Sequence, residues 1–462
     1  MNNLLLCLVL LACSMITAQE KQKEQPPKPG EPKDFTLPNK ETVTFNNGLT
    51  LVMVPYGAIP KASVEISVKT GNIDEGKNEV WLADLMADLM KEGTVTRTAS
   101  QITEEIAGMG GNLNIGVDEH TTFIDSSVLY KFVPDAIALM SDVLINPKWP
   151  EQELIRLKND MKRNLAVRLS RPGSQARKAF YAALYPDHAY GRQYPTDTLI
   201  DSYTLEDIKN FYKKNMGARR TTIYVVGKFD SEKVREAVEK SAADWRAGTP
   251  SEYPVGQPST ESQVKIIDRP GAPQSTIYYG LPVVGPSHED YIALDMMNSF
   301  LGGSFTSRIT TNIREDKGYT YSPRSMVDAN YKSAIWMEAA DVTTEYTGAS
   351  LREIQKEINR LQQEPPTENE MQGIINYESG LFVLRNSTPS GIIGQMVFLD
   401  THELDASFLT NRVKNMREVT AEQVQEMTRK YIRPENMTLI VVGDKQKIES
   451  QIQETVQIPL KQ

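Results

Sequence analysis

The sequence predicts an α+β protein built from two homologous domains, each an antiparallel-rich sheet with helices packed on one face. The first observation behind this prediction is an internal duplication, in which Thr204–Gly227 and Thr420–Gly443 carry the same pattern at a constant offset of 216 residues. The second observation is that apolar stretches with the alternation of paired strands are interleaved with long helical stretches. This arrangement is typical of sheets covered by helices.

The two copies of the duplicated unit agree in detail. Each begins with a threonine, Thr204 or Thr420, and has Asp207 or Gln423 three residues later, which predicts a capping box at the start of a helix. Each helix leads into an apolar run that ends at a glycine, as expected of a buried strand. Because order, length and spacing all match, the repeat indicates two homologous halves and not two unrelated helix–strand units.

The remaining elements follow from hydrophobic periodicity. Alternating stretches predict strands at 47–55, 63–70, 263–267 and 275–280, and longer stretches predict helices at 133–144, 151–169, 232–245 and 351–362. Residues 246–261 are rich in Gly, Pro, Ser and Thr and are interpreted as a linker. The linker would join an N-terminal domain at 41–245 to a C-terminal domain at 262–462.

The N-terminal segment is typical of a targeting sequence. Its apolar run is too short to span a bilayer, which predicts a signal segment at residues 1–18. Cleavage after Ala18 would release a soluble protein, whereas a lipobox-like sequence ending at Cys13 would leave a lipid anchor there. Both alternatives predict a periplasmic location in a bacterial cell envelope. Residues 19–40, rich in Pro, Lys, Glu and Gln, predict a flexible or extended tether. Both cysteines, Cys7 and Cys13, lie in the signal segment, so no disulfide is expected in the folded region.

Composition and charge argue against two classes of partner. With 462 residues the chain is long enough for two or three domains, each with its own hydrophobic core. Its formal net charge of −9 at pH 7 argues against nucleic acid and against anionic membrane surfaces as partners. The negative charge could instead favour basic peptides.

Residues Trp81–Thr94 read WLADLMADLMKEGT and resemble the zinc helix of the pitrilysin/insulinase peptidases, the inverzincins. In that helix two histidines one turn apart bind Zn²⁺, and a glutamate before the second histidine activates the bound water. This sequence has Asp84 and Asp88 at the histidine positions and Ala87 at the glutamate position. The family's third ligand, a glutamate on a later helix, corresponds to Asn164. The resemblance therefore implies a degenerate zinc motif and no metal bound by this chain.

The sequence offers little to replace the lost ligands. Its four histidines, His120, His188, His288 and His402, are far apart, so no histidine pair lies on one helical turn. Asp84 and Asp88 share a helix face and are of a type that suits Ca²⁺ or Mg²⁺. Two ligands without further oxygen donors make a weak site, however, and a solvated or salt-bridged helix face is the expected interpretation.

The second half keeps a motif that can take part in peptide chemistry. Leu301–Arg308, followed by Asn312–Tyr321, resembles a family segment whose arginine and tyrosine complete the active site from a domain without zinc. Arg314 and Tyr321 match this pair in type and in their spacing of seven positions. A guanidinium fork and a phenol can hold a substrate carbonyl or a developing oxyanion. The alternative is that Arg314 forms a surface ion pair and Tyr321 fills a strand face.

Gly302, Gly303 and Asn114 are candidate substrate-binding residues. The glycine pair permits close backbone approach, and in relatives that process imported precursors a glycine-rich loop at this place touches substrate. The loop is much shorter here, so a simple turn is the alternative. Asn114 ends Gly110–Asn114, another stretch that matches the family.

These features predict a non-catalytic partner subunit of a two-chain zinc peptidase. The chain would form half of a peptide-enclosing chamber with a zinc-bearing homologous subunit, and it would supply Arg314 and Tyr321 to the zinc site of that partner. One alternative is a non-enzymatic peptide-binding or assembly protein of the same fold. A further alternative is an autonomous metalloendopeptidase with unusual ligands.

Overall fold

The computed structural model describes residues 38–455 of the 462-residue chain. The predicted signal segment, the candidate lipid-anchor residue Cys13 and most of the predicted tether lie outside the described residues. Residues 38–40, at the end of that tether, form no helix or strand. None of the helices within residues 38–455 is long and apolar enough to cross a membrane.

The first half contains a six-stranded sheet in the order β1–β2–β6–β3–β5–β4. Its strands are β1 (Glu41–Thr44), β2 (Thr50–Pro55), β3 (Lys61–Val68), β4 (Asn114–Val117), β5 (Thr122–Leu129) and β6 (Thr221–Gly227). All neighbouring strands are antiparallel except β2 and β6, which run parallel. The antiparallel-rich sheet predicted for this half is therefore confirmed.

The second half repeats this topology with a five-stranded sheet in the order β7–β11–β8–β10–β9. Its strands are β7 (Val264–Asp268), β8 (Gln274–Val283), β9 (Arg324–Asn330), β10 (Ser333–Thr343) and β11 (Thr438–Gly443). Again one pair, β7 and β11, is parallel and the other pairs are antiparallel. The matching strand order confirms that the two halves are homologous.

Helices connect the strands in both halves. In the first half they are α1 (Leu82–Met90), α2 (Ala99–Gly108), α3 (Val133–Ile145), α4 (Glu151–Leu169), α5 (Pro172–Leu184), α6 (Asp197–Ser202), α7 (Leu205–Asn215) and α8 (Ser231–Ala242). In the second half they are α9 (Tyr291–Asn298), α10 (Arg308–Thr310), α11 (Thr347–Gln363), α12 (Glu368–Arg385), α13 (Pro389–His402), α14 (Ser407–Thr410), α15 (Arg412–Glu418), α16 (Ala421–Tyr431) and α17 (Lys445–Gln453). Two π-helical turns, Ser299–Gly303 and Thr311–Asp316, flank α10.

The capping boxes predicted for the duplicated unit are present in both copies. At the start of α7 the Thr204 hydroxyl accepts the N–H of Asp207 at 3.2 Å, and the Asp207 carboxylate accepts the N–H of Thr204 at 2.8 Å. At the start of α16 the corresponding distances between Thr420 and Gln423 are 3.2 and 2.9 Å. Local sequence therefore sets the start of these two helices.

Each sheet buries one face under helices of its own half. In the first half Val64 and Ile66 of β3 share a core with Leu85 of α1. In the second half Ile277 of β8 and Trp336 of β10 belong to a separate core with residues of α9, α11 and α16. These two cores confirm the predicted packing of helices on one face.

The opposite face of each sheet is covered by a helix from the other half, which the sequence did not indicate. Helix α5 of the first half packs on β8 and β11, where Phe180 joins Ile335 and Ile440 in a buried cluster. Helix α13 of the second half packs on β3 and β6, where Ile393 joins Tyr224. The halves therefore exchange one helix each, and neither sheet is fully covered by its own half.

The segment interpreted as a linker runs between the halves without regular structure at residues 246–263. It is nevertheless tied to the first half, because the Tyr253 hydroxyl donates to the carbonyl of His120 at 2.7 Å and the Ser259 N–H donates to the carbonyl of Leu184 at 2.7 Å. The exact domain boundaries stay a prediction.

Candidate functional site

A cleft of about 490 Å³ lies between α1 and the middle of α4. Asp84, Asp88 and Asn164 all line it. These are the three positions that the sequence matched to metal ligands, so the fold brings them to one place as the motif implies. Whether the cleft can hold a metal ion therefore depends on the chemistry of these three side chains.

Helix α1 begins in an unusual way. Trp81, just before its first turn, has a positive φ of 65°. Glu75 is buried beneath this turn, and its two carboxylate oxygens accept the N–H groups of Trp81 at 3.0 Å and Ala83 at 2.9 Å. Burial raises the pKa of Glu75 well above its usual range, and the charge of Asp84 adds to the effect. Glu75 lies outside the helix, but its carboxylate accepts N–H groups at the start of α1 as an N-cap side chain normally does.

Asp84, half-buried at the wall of the cleft, belongs to the same hydrogen-bonded network. Its Oδ2 accepts a hydrogen bond of 2.9 Å from the Nδ2 of Asn72, which also donates to Glu75 at 3.2 Å. Burial raises the pKa of Asp84 to about 6, although the hydrogen bond from Asn72 opposes the shift. One oxygen of this carboxylate is therefore engaged within the protein.

The other positions of the motif do not supply a metal site either. Asp88 is half-exposed and forms an ion pair of 2.8 Å with Lys91, the salt-bridged helix face that the sequence suggested. Ala87 is buried and has no group that could act as a base. Asn164 is exposed and offers a neutral amide. Zinc in proteins favours imidazole, thiolate and carboxylate ligands in tetrahedral sets, and this combination does not fit it. Within residues 38–455 no group of three or more His, Cys, Asp or Glu is placed to hold a metal ion.

Arginines supply the positive charge of the cleft. Arg168, Arg177 and Arg192 all line it. The guanidinium of Arg168 lies 5.6 Å from the ring centroid of Trp81, and Nη2 of Arg192 donates to the carbonyl of Glu75 at 2.7 Å. Arginine and carboxylate side chains thus line the same cleft, which can bind polar groups.

His120 and His188 both contact Tyr190, and His402 lies beside His120, a cluster of histidines to which no sequence signal pointed. The Nε2 of His120 lies 2.7 Å from the Tyr190 hydroxyl oxygen, and the rings of His188 and Tyr190 are 4.5 Å apart. His402, at the end of the exchanged helix α13, lies 6.1 Å from His120 between ring centroids. Burial lowers the pKa of all three histidines, that of His402 to about 4. Neutral imidazoles therefore line the seam between the halves.

Arg314 and Tyr321 lie together on the second half, away from the cleft of α1. They line a separate cavity of about 420 Å³ that has no lining residue in common with that cleft. The guanidinium carbon of Arg314 lies 5.2 Å from the ring centroid of Tyr321, and its Nε lies 3.1 Å from Glu315. Tyr321 is 80% exposed. The Arg314–Tyr321 pair thus lines a surface cavity of the second half and does not line the cleft of the degenerate zinc helix.

The glycines and Asn114 have packing roles that the structure makes plain. Gly302 is buried, and a Cβ there would lie 2.6 Å from the Ser325 hydroxyl and 2.7 Å from a Glu338 carboxylate oxygen. A Cβ on Gly303 would approach the Asn298 amide to 2.5 Å. A substrate role for these glycines stays a prediction.

Asn114 is exposed on β4, the edge strand of the first sheet. Its Nδ2 donates to the carboxylate of Asp125 at 3.2 Å, and its Oδ1 accepts from Asn112 at 2.9 Å. These contacts hold the amide in place at the edge of the sheet. Whether Asn114 also touches a peptide stays a prediction.

Solved structures share this fold. One is a peptidase M16 inactive domain protein from Pseudomonas fluorescens, with a TM-score of 0.80 at 22% identity over 88% of this chain and 98% of that one. Another is a protease from Helicobacter pylori, with a TM-score of 0.82 at 18% identity over 88% of this chain and all of that one. At these identities the likeness shows the fold.

Sequence relatives lead to the family. A protein of Mycobacterium leprae named an uncharacterized zinc protease is 28% identical over 291 residues, which are 62% of this chain and 65% of that protein. A similarly named protein of Bacillus subtilis is 23% identical over 324 residues, 69% of this chain and 76% of the relative. The chain thus aligns with somewhat less than two thirds of the M. leprae protein. Residues 52–196 match the family described as insulinase (peptidase family M16), and residues 202–377 match the peptidase M16 inactive domain. The chain therefore belongs to the insulinase family of peptidases, family M16.

Proposed function

We propose that this chain is the non-catalytic subunit of a two-chain zinc peptidase and supplies Arg314 and Tyr321 to the active site of a zinc-bearing homologous partner. The observation that carries the proposal is the separation of two surfaces. The cleft at α1 has a donor set that does not fit zinc, while half-buried Arg314 and exposed Tyr321 line a different cavity. In this proposal the pair acts at a reacting centre that a second chain supplies.

The chemistry of the pair suits a peptide substrate. A guanidinium can donate two parallel hydrogen bonds to a carboxylate or carbonyl, and a phenol can donate one to a developing oxyanion. Because Arg314 is anchored through Nε to Glu315, its outer nitrogens are the ones left for substrate. In this proposal the partner would hold the metal that supplies Lewis-acid chemistry, and Arg314 and Tyr321 of this chain would bind and orient the carbonyl oxygen of the peptide bond.

The first half would then act as a wall of the peptide-enclosing chamber. Its cleft of about 490 Å³ is lined by both carboxylates and arginines. This observation also favours a second candidate function, a non-enzymatic peptide-binding or assembly protein of the same fold. The two functions differ in whether the chain increases the activity of a partner.

The proposal is tested by reconstitution. The chain would be mixed with a homologous protein from the same genome that has an intact H-x-x-E-H helix, and cleavage of a fluorogenic peptide library would be measured for each protein alone and for the mixture. We expect a stable complex on size exclusion and activity in the mixture that neither protein has alone. Peptide binding without any gain in cleavage would favour the second candidate function.

We also propose that the protein acts in the bacterial envelope, on the basis of its signal-like first 18 residues. Mass spectrometry of the natural N-terminus distinguishes a lipidated Cys13 from a free Gln19. An intact Met1 on protein recovered from the cytoplasm would contradict this location.

A further inference from the structure

Phe305 forms a stack with the Arg314–Tyr321 pair. The guanidinium carbon of Arg314 lies 4.1 Å from the ring centroid of Phe305 and 5.2 Å from that of Tyr321. Phe305 is 64% exposed and Tyr321 is 80% exposed. Two aromatic rings therefore flank one cation at the surface, an arrangement that contributes little to the hydrophobic core and gives the cation a defined orientation.

The loop that carries Phe305 is held at both ends by buried residues. Gly302, at its start, has no room for a side chain. Ser307 and Arg308, at its end, are buried, and Nε of Arg308 forms an ion pair of 3.1 Å with Glu370. The position of the exposed ring is thus determined by contacts on either side of it and not by the ring itself.

The backbone beneath Arg314 is anchored in a similar way. Asn312 is buried and its Nδ2 donates to Glu357 at 2.6 Å, and Ile313 is fully buried. Arg314 follows directly, and its Nε pairs with Glu315 at 3.1 Å. In the part of the chain that the structure describes, the two Nη atoms of Arg314 donate no hydrogen bond to protein. These donors are therefore available to a ligand.

We propose that Phe305 is a positioning residue for Arg314. The phenyl ring restricts the rotation of the long arginine side chain, so that the Nη donors stay oriented towards a peptide carbonyl or carboxylate. Ordering a free arginine on binding costs rotamer entropy, and a stack formed beforehand removes part of that cost. This inference rests on the proposed function, because it takes a peptide at the partner's zinc site as the ligand of Arg314.

The orienting contact can be tested on the full chain alone by NMR of its arginine side chains. The Nε–Hε resonance of Arg314 is assigned as the one lost in Arg314→Lys. We expect Phe305→Ala to move this resonance, because the ring current of the phenyl group is removed, and Phe305→Trp to restore a ring-current shift. An unchanged resonance in Phe305→Ala would show that the ring does not cover the guanidinium in solution and would overturn the inference.

The consequence for catalysis is tested in the reconstituted complex. Phe305→Ala should lower kcat about fivefold with a smaller change in KM, as expected for removal of one cation–π contact at an exposed site, and Phe305→Trp should retain activity. Ile59→Ala removes an exposed apolar side chain from the first half and should leave both constants unchanged. Equal kcat and KM for Phe305→Ala and wild type would overturn the inference. If the wild-type complex itself does not form or is inactive, the proposed function fails, and the NMR result still decides whether Phe305 orients Arg314.

Discussion

The side-chain amide of Asn72 donates a hydrogen bond of 2.9 Å to Asp84, the residue at the position of the first zinc-binding histidine of the family. The same amide bridges to the buried Glu75, which accepts the first N–H groups of the helix. A hydrogen-bonded carboxyl network thus occupies the start of helix α1. Buried polar groups are costly to leave unpaired, so this network stabilises the helix in the absence of the family's ligand set.

We expect the purified chain to bind no stoichiometric zinc. The reason is that Asp84 and Asp88 are already engaged by Asn72 and Lys91 and that Asn164 offers only a neutral amide. Elemental analysis of protein prepared without chelators measures the zinc content directly. One tightly bound zinc per chain that is lost in Asp88→Ala would contradict the prediction.

Tyr321→Phe is expected to lower kcat of the reconstituted complex about 10²-fold, roughly 2.7 kcal/mol, as is typical for loss of one donor to an oxyanion. Arg314→Ala should cost at least as much, because it removes a charge and a bidentate fork. The measurement is steady-state cleavage, with complex formation checked by size exclusion.

Tyr377→Phe provides the matched control for these variants. Tyr377 is 42% exposed on α12, so its hydroxyl can be removed without disturbing the Arg314–Tyr321 pair. If Tyr321→Phe and Arg314→Ala assemble and cleave like the control, the pair is structural and the peptide-binding alternative becomes the better description.

Glu65 makes the stability of the protein depend on pH. It lies opposite Asp125 on the neighbouring strand, and burial, followed by the charges of Asp125 and Asp118, raises its pKa from 4.5 to about 7. The folded protein therefore keeps this proton up to about pH 7, whereas the unfolded chain loses it near pH 4.5. Because the folded state binds this proton more tightly than the unfolded chain, the free energy of unfolding falls as the pH rises from about 4.5 to about 7.

Glu65→Gln should remove that loss. Relative to wild type, the variant should gain free energy of unfolding between pH 4.5 and 7, by at most roughly 3.5 kcal/mol, since one pKa unit corresponds to about 1.4 kcal/mol. Urea unfolding at several pH values measures the difference. Glu104→Gln, a change at an exposed position on α2, serves as control, and a pH-independent difference for Glu65→Gln would contradict the assignment.

The exchanged helices should be essential to stability. Phe180 of α5 is fully buried against the second sheet, and Phe180→Ala should lower the free energy of unfolding by about 3–5 kcal/mol. Leu384→Ala, at a side chain that is 66% exposed, should change it by less than about 0.5 kcal/mol. Equal denaturant midpoints for the two variants would show that α5 does not hold the halves together.

Local features were predictable from the sequence because they depend on neighbouring residues. The capping boxes at Thr204 and Thr420, the strands of the duplicated unit and helix α4 at Glu151–Leu169 were all predicted correctly. The convergence of the three former ligand positions also followed from sequence, since it depends on a family motif. The burial of Gly302 could not be inferred, because the side chains that pack on it come from β9 and β10.

The internal repeat and the hydrophobic periodicity predicted two homologous α+β halves, and the resemblance of Trp81–Thr94 to the family's zinc helix identified a motif whose ligand positions carry other residues. Only the tertiary structure decided which helix covers which sheet, that His120 and His188 meet at Tyr190 with His402 beside them, and that Phe305 stacks on Arg314. These contacts join residues distant in the chain or separated by a turn of irregular geometry. The burial of a side chain depends on tertiary packing that no local sequence pattern encodes. The pKa of groups such as Asp84 and Glu65, which burial raises, depends on it as well.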